Sequence, residues 1–192
     1  MILTVPAALR RLLSVLPATI VDENDPAPPA DLACWLMSLP HLCGTTLETM
    51  PGLVPYLSVP DAEIAVWRAR MAALPGRLVG LVWGGGVRPD DAHLCAIDGR
   101  RSIPLAAMAP LSLMEGCSFV SLQIGPPAAQ MGAPGGVSLW DPTQGLRDFA
   151  DTAALVGALD LVIAVDTAVA HLAAAMGRPV WLLDRYDSCW RW

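Results

Sequence analysis

From Leu78 onward, short apolar runs alternate with mixed segments in a regular way. LVGLVW at Leu78–Trp83, SFVSL at Ser118–Leu122, VSLW at Val137–Trp140, LVIAV at Leu161–Val165 and VWLL at Val180–Leu183 each read as a strand. Their near-continuous apolar character is that of strands covered on both faces. Between them, Pro104–Met114, Pro127–Met131, Asp148–Ala158 and the alanine-rich stretch from Thr167 to Gly177 read as helices. Ser102 is placed to cap the first of these, Pro104 is tolerated in its first turn, and Pro110 predicts a kink or an early end. The residues after Gly84-Gly85-Gly86 read as a polar loop. Strands alternating with helices over short connections predict an α/β fold with a Rossmann-like, doubly wound parallel sheet.

Upstream the pattern is less complete. Ile2–Val5, Thr19–Asp22 and Leu32–Met37 read as strands, Pro6–Leu16 as a helix, and the acidic, proline-rich Asp22–Asp31 as a loop. Asp61–Leu74 reads as an amphipathic helix capped by Asp61, favoured by Glu63 and ended by Pro75-Gly76. Three strands and one crossover helix do not close a domain. The expected organisation is an incomplete α/β domain over residues 1–76, followed by a Rossmann-like domain over 77–192.

Composition narrows the function classes. The 192 residues are 54% hydrophobic and 16% charged, with a mean hydropathy of +0.48. Such a chain is expected to be ordered, with sheets buried on both faces or a surface that meets a partner. A net charge of −6 and a pI near 4.8 give no footprint for nucleic acid. All twelve basic residues are arginine, so any cationic contact to phosphate must be a guanidinium, and a P-loop lysine is excluded. Five scattered cysteines without a C-x-x-C pair favour reduced thiols. The N-terminus lacks the basic start of a signal peptide, and no apolar run reaches the ~18–20 residues of a membrane span. A cytoplasmic location is the expectation.

The chemistry concentrates in DLVIAVDTAVAHLAAAMGRPVWLLD, Asp160–Asp184. A strand that gives way abruptly to a helix presents free backbone N–H groups and a positive dipole end at the strand's carboxyl edge, which suits an anionic ligand. Thr167 is a natural N-cap, His171 shares its helix face, and the alanines keep the helix thin. Asp166 would repel a phosphate and fits sugar hydroxyls better. On pattern alone, Asp166-Thr167 also reads as an ordinary capping pair and His171 as a half-buried core residue. The same holds for Gly84–Gly86 as a plain turn and Arg101 as a solvated charge. Asp90, Asp91, His93, Cys95 and Asp98 match no zinc or calcium spacing and read as a solvated loop. Trp181, Trp190 and Trp192 read as core or hinge packing.

Taken in order, these segments resemble the family 9 glycosyltransferases, the bacterial heptosyltransferases. The resemblance is closer still to the transferase-like domain that follows tetratricopeptide repeats in bacterial proteins. It is carried by VGLVW (Val79–Trp83), RRSIPLA (Arg100–Ala106), FVSLQ-x-GP (Phe119–Pro126), LRDFADTAALV (Leu146–Val156), D-T-A-x-x-H-L-A-A-A-x-G-x-P-V (Asp166–Val180) and CWRW (Cys189–Trp192), with weaker support from Ser38–Pro51. The resemblance implies GT-B architecture, with two facing Rossmann-like domains of which the second holds a nucleotide-diphosphate sugar. It implies transfer of the glycosyl group to an acceptor hydroxyl, with no metal and no cofactor beyond the donor substrate. Asp166 would contact the donor sugar; Thr167, Ala168 and His171 would serve the diphosphate; Arg101 would neutralise its charge. Trp83, Gly84, Gly85 and Gln123 would line the donor site. Two departures stand out: Ile124 where relatives carry lysine, and Gly-Gly-Gly where they carry Ala/Ser-Gly-Asn.

Relatives begin well before the counterpart of Met1 and continue past CWRW, so the chain is expected to be a piece of a longer protein. The region that bears the proposed base of heptosyltransferases is not represented, and no catalytic residue is assigned. The donor sugar, the nucleotide and the acceptor stay open. A cut GT-B protein should expose apolar surface and self-associate. Two other readings remain: a non-catalytic, degenerate binding module, and a sugar-nucleotide epimerase, which would need its own acid and base carboxylates.

Overall fold

In the computed structural model, which describes residues 1–86, 91–134 and 136–188, the chain opens with strand β1 (Ile2–Val5). One 3₁₀ turn (Ala7–Leu9) and a short helix α1 (Arg10–Leu13) lead to strand β2 (Thr19–Asp22). β1 and β2 pair in parallel, Ile2 opposite Thr19, as the crossover requires. The expected helix over Pro6–Leu16 is thus shorter and split. The expected third strand over Leu32–Met37 is not formed. Residues 32–35 have no regular structure, Leu36–Ser38 is a 3₁₀ turn, and α2 (Leu39–Leu42) follows. That run is continuously apolar without the alternation of a half-buried strand, and no strand is paired with it; Leu32 and Trp35 stand 91% and 84% exposed.

Helix α3 (Asp61–Arg70) starts after Pro60, so Asp61 lies inside its first turn rather than capping it. β3 (Arg77–Val82) follows, and then α4 (Ala92–Arg101), where the sequence suggested a loop. Asp91 caps α4 by accepting from the Leu94 amide at 3.0 Å, and Arg100 and Arg101 suit its negative end. Leu105–Leu113 is a 3₁₀ helix rather than an α-helix; Pro110 inside it has no N–H to donate. β4 (Cys117–Ser121), a 3₁₀ turn (Pro126–Gln130) and the two-residue β5 (Leu139–Trp140) come next. The chain then forms α5 (Phe149–Gly157), β6 (Leu161–Val165), α6 (Ala168–Ala175) and β7 (Val180–Leu183).

Five strands make one parallel sheet in the order β5-β4-β3-β6-β7. The chain winds outward from β3 in one direction, then returns to β3's other side and winds outward the opposite way. This is the doubly wound pattern, and its switch point lies between β3 and β6. Val82 pairs with Ala164, so both strands present their carboxyl ends at one level.

Side chains alternate strictly across the sheet. Val79, Leu81, Trp83, Phe119 and Ile163 meet Leu105 and Met108 on one face. Val82, Val120, Leu122, Val162 and Ala164 meet Trp67, Met71 and the buried side of α5 and α6 on the other. This period of two is what a sheet covered on both faces demands.

The N-terminal unit is fastened to the helical layer. Leu12 packs with Ala150, Ala153 and Leu172. Beside it the Arg11 guanidinium donates to Asp148 at 2.8 and 2.9 Å, to Glu63 at 2.8 Å and to Asp151. Asp148 also caps α5 through the amides of Ala150 and Asp151, both at 2.9 Å. The bond from Arg11 holds the Asp148 carboxyl below the usual carboxylate range. Asp151, bonded first by Arg147 and then by Arg11, is held lower still.

Candidate functional site

Two turns meet at the switch point. The first follows β3. Trp83 is fully buried; its indole N–H donates to the Pro127 carbonyl at 3.1 Å and its amide to Gln123 Oε1 at 3.1 Å. Gln123 Oε1 also accepts from the Gly84 amide at 2.8 Å, and its Nε2 donates to the carbonyls of Gly84 (3.1 Å) and Ile124 (2.9 Å). Gly84 is required by space, since a Cβ there would lie 2.7 Å from Pro127 Cγ. The next amide, Gly85, donates to Ser102 Oγ at 2.9 Å, and that hydroxyl donates to the Asp98 carbonyl at 2.7 Å. Ser102 therefore closes α4 and ties it to the glycine turn, rather than capping the segment after it. A Cβ on Gly85 would lie 2.5 Å from Arg101 Nε, so the missing side chain is what lets the guanidinium lie on the backbone.

The second turn follows β6. Thr167 occupies the N-cap position of α6 with extended backbone (φ −139°, ψ 165°), and its carbonyl accepts from Ala170 at 3.0 Å and His171 at 3.3 Å. Its hydroxyl makes no capping bond. Thr167 Oγ1 is buried and has no hydrogen-bond partner among the described residues. The first amides of α6 have no intrahelical acceptor, as at any helix start. His171 Nε2 stands 3.5 Å from Asp166 Oδ1.

Arg101, Asp166, Thr167, Ala168 and His171 together line a cleft of about 360 Å³. It brings together a helix N-terminus with its threonine, a guanidinium, a carboxylate and an imidazole. Such a set can hold an anion flanked by a group rich in hydroxyls.

Five of the nine residues expected from the sequence thus share one cleft. Trp83, Gly84 and Gln123 lie behind it, and their polar groups are taken up in shaping the turn; Gly85 lies beneath Arg101. Two residues behind the cleft were missed: Asp98, which contacts Arg101, and Ser102, which holds the Gly85 amide. The i, i+3 spacing of Asp98 and Arg101 was a usable signal, but only once α4 is recognised as a helix. His93, Cys95 and Asp98 sit on α4 and Asp91 caps it, so the supposed solvated loop is helical; Asp90 lies outside the described residues, as does CWRW.

The fold is a doubly wound α/β sheet with a cleft at its switch point, and comparison with known proteins gives it a family setting. Residues 145–183, which contain α5, β6, α6 and β7, match the family described as glycosyltransferase family 9 (heptosyltransferase). The matched segment includes the whole Asp166–His171 turn. Protein FlbA of Caulobacter vibrioides is 33% identical over 150 residues, which is 74% of this chain and 24% of FlbA. The chain therefore spans about a quarter of that relative's length. Among solved structures, ADP-heptose LPS heptosyltransferase II of E. coli is similar with a TM-score of 0.49 and 18% identity, over 69% of this chain and 40% of that one. No helix among the described residues is long and apolar enough to cross a membrane.

Proposed function

We propose that the cleft binds the diphosphate of a nucleotide-activated sugar and that the domain serves glycosyl transfer to an acceptor hydroxyl. The observation that carries this reading is the buried Thr167 hydroxyl, without a partner among the described residues, at the start of α6 in a cleft that Arg101 also lines. A buried hydroxyl without a partner costs on the order of 1–3 kcal/mol, and an oxyanion bound there would relieve that cost. As the glycosidic bond to the diphosphate breaks, negative charge grows on the leaving oxygen. In this reading the α6 amides, Thr167 Oγ1 and Arg101 would stabilise it. Asp166, held beside His171, is left for sugar hydroxyls. Residues 77–192 would act as the donor-side domain and residues 1–76 as part of the acceptor side.

Isothermal titration with a panel of nucleotide-diphosphate sugars tests the reading. Saturable binding of one member is expected, and it should be lost when Asp166→Ala and Arg101→Ala are combined. No binding across the panel, or binding that survives both substitutions, would refute it.

A second reading, a module that binds nucleotide sugar without turning it over, is favoured by one feature. Ile124, 62% exposed beside the glycine turn, puts an apolar side chain where a cation would help a phosphate. Following donor breakdown in the full-length protein separates the two, because only the transferase releases nucleoside diphosphate. The exposed side chains of Leu32, Trp35, Leu36 and Met37 support self-association, which light scattering would reveal as mass above that of one chain.

A further inference from the structure

Asp98 is the acid whose position the fold explains least. It is 5% exposed, it lies in the last turn of α4 where the helix dipole disfavours a negative charge, and its Oδ2 is buried without a partner among the described residues. Its Oδ1 accepts from Arg101 Nη2, three residues on. Arg101 Nε is likewise buried and unpartnered, so the two side chains meet through one nitrogen rather than as a two-pronged pair. Exchanging a buried ion pair for apolar side chains is often neutral or stabilising, so this one is poorly explained as support for the fold. The guanidinium it contacts lies on the Gly85 backbone and lines the cleft, with α4 tied to the same turn through Ser102.

Resting on the donor-site reading above, we infer that Asp98 is a positioning residue that holds Arg101 for the anionic part of the ligand. Without it the guanidinium is free to swing toward solvent, since 21% of its side chain is already exposed. Charge and position make opposite forecasts here. Removing an acid from beside an anion site should tighten anion binding if only charge matters. It should weaken binding if Asp98 acts by orienting Arg101.

The test is a double-mutant cycle on the whole chain, with nucleoside diphosphates and inorganic pyrophosphate as probes and thermal unfolding as a parallel readout. Arg101→Ala is expected to weaken binding of the best probe at least tenfold. Asp98→Leu should weaken it about tenfold with a melting temperature unchanged or raised, and Asp98→Asn should fall between. The double variant should bind no more weakly than Arg101→Ala alone. If Asp98→Leu tightens binding, leaves it unchanged, or multiplies the Arg101→Ala effect, the positioning role is wrong while the donor site stands. If Asp98→Leu fails to fold, Asp98→Asn carries the same cycle. If Arg101→Ala changes nothing, or no probe binds the unaltered protein, the donor-site reading falls and takes this inference with it.

Discussion

The turns after β3 and β6 sit side by side at the same sheet edge, yet they treat their polar groups in opposite ways. In the Trp83–Gly85 turn, three amides and two carbonyls are bonded by Gln123, Ser102 and Ile103. In the Asp166–Thr167 turn, the Thr167 hydroxyl is buried without a partner among the described residues, and it does not cap the helix start behind it. The first turn satisfies itself and serves as a wall, and the second, left unsatisfied at the switch point, is the proposed socket. Among the described residues Arg101 links the two, resting on Gly85 and lining the cleft with Asp166 and Thr167.

The sharpest way to break this contrast is Gln123→Ala. It strands the buried amides of Trp83 and Gly84, and unfolding should cost about 3 kcal/mol less than in the unaltered protein. Chemical denaturation would measure it, and a loss below about 1 kcal/mol would mean that the first turn does not depend on its clamp.

Thr167→Val should behave in the opposite manner. The hydroxyl has no partner to lose, so stability should hold or rise slightly, whereas binding of a nucleoside diphosphate should weaken about tenfold. A destabilised variant with unchanged binding would make Thr167 an ordinary structural residue.

Arg11→Met probes a third polar cluster, one saturated like the first turn but placed between α1 and α5. Its side chain is 37% exposed, so solvent screening limits the expected loss to about 1 kcal/mol. The same cluster sets an acid limit. Asp148 and Asp151 are held below their ordinary pKa, so they add stability above the unfolded value near ~3.9. That contribution disappears as pH falls through the lower folded values. Stability of the unaltered protein should therefore drop below about pH 4, and Arg11→Met should show a shallower drop. Parallel pH profiles would contradict this.

What could be read from the chain divides along physical lines. The five sheet strands were legible because burial on both faces writes itself as apolar runs, and the turn at Asp166–Thr167 because a strand ends there abruptly before small helical residues. Helix α4 was hidden because His93, Asp98 and Arg100 break any apolar stripe, leaving only the Asp91 cap and the closing arginines as signals. Leu32–Met37 misled for the converse reason: an apolar run looks like a strand whether or not a partner strand exists. Gln123 was expected to face the ligand, but its place behind the turn depends on contacts about forty residues away. The Asp98–Arg101 contact likewise follows from a helix the pattern did not reveal.

The central claim is that the α6 start is an anion socket, and amide-resolved NMR during titration with a nucleoside diphosphate tests it most directly. The account predicts saturable shifts, largest at the Ala168 and Val169 amides and at the Arg101 guanidinium, with little change at Trp83 and Gly84. Shifts confined to other parts of the sheet, or none at millimolar ligand, would contradict it.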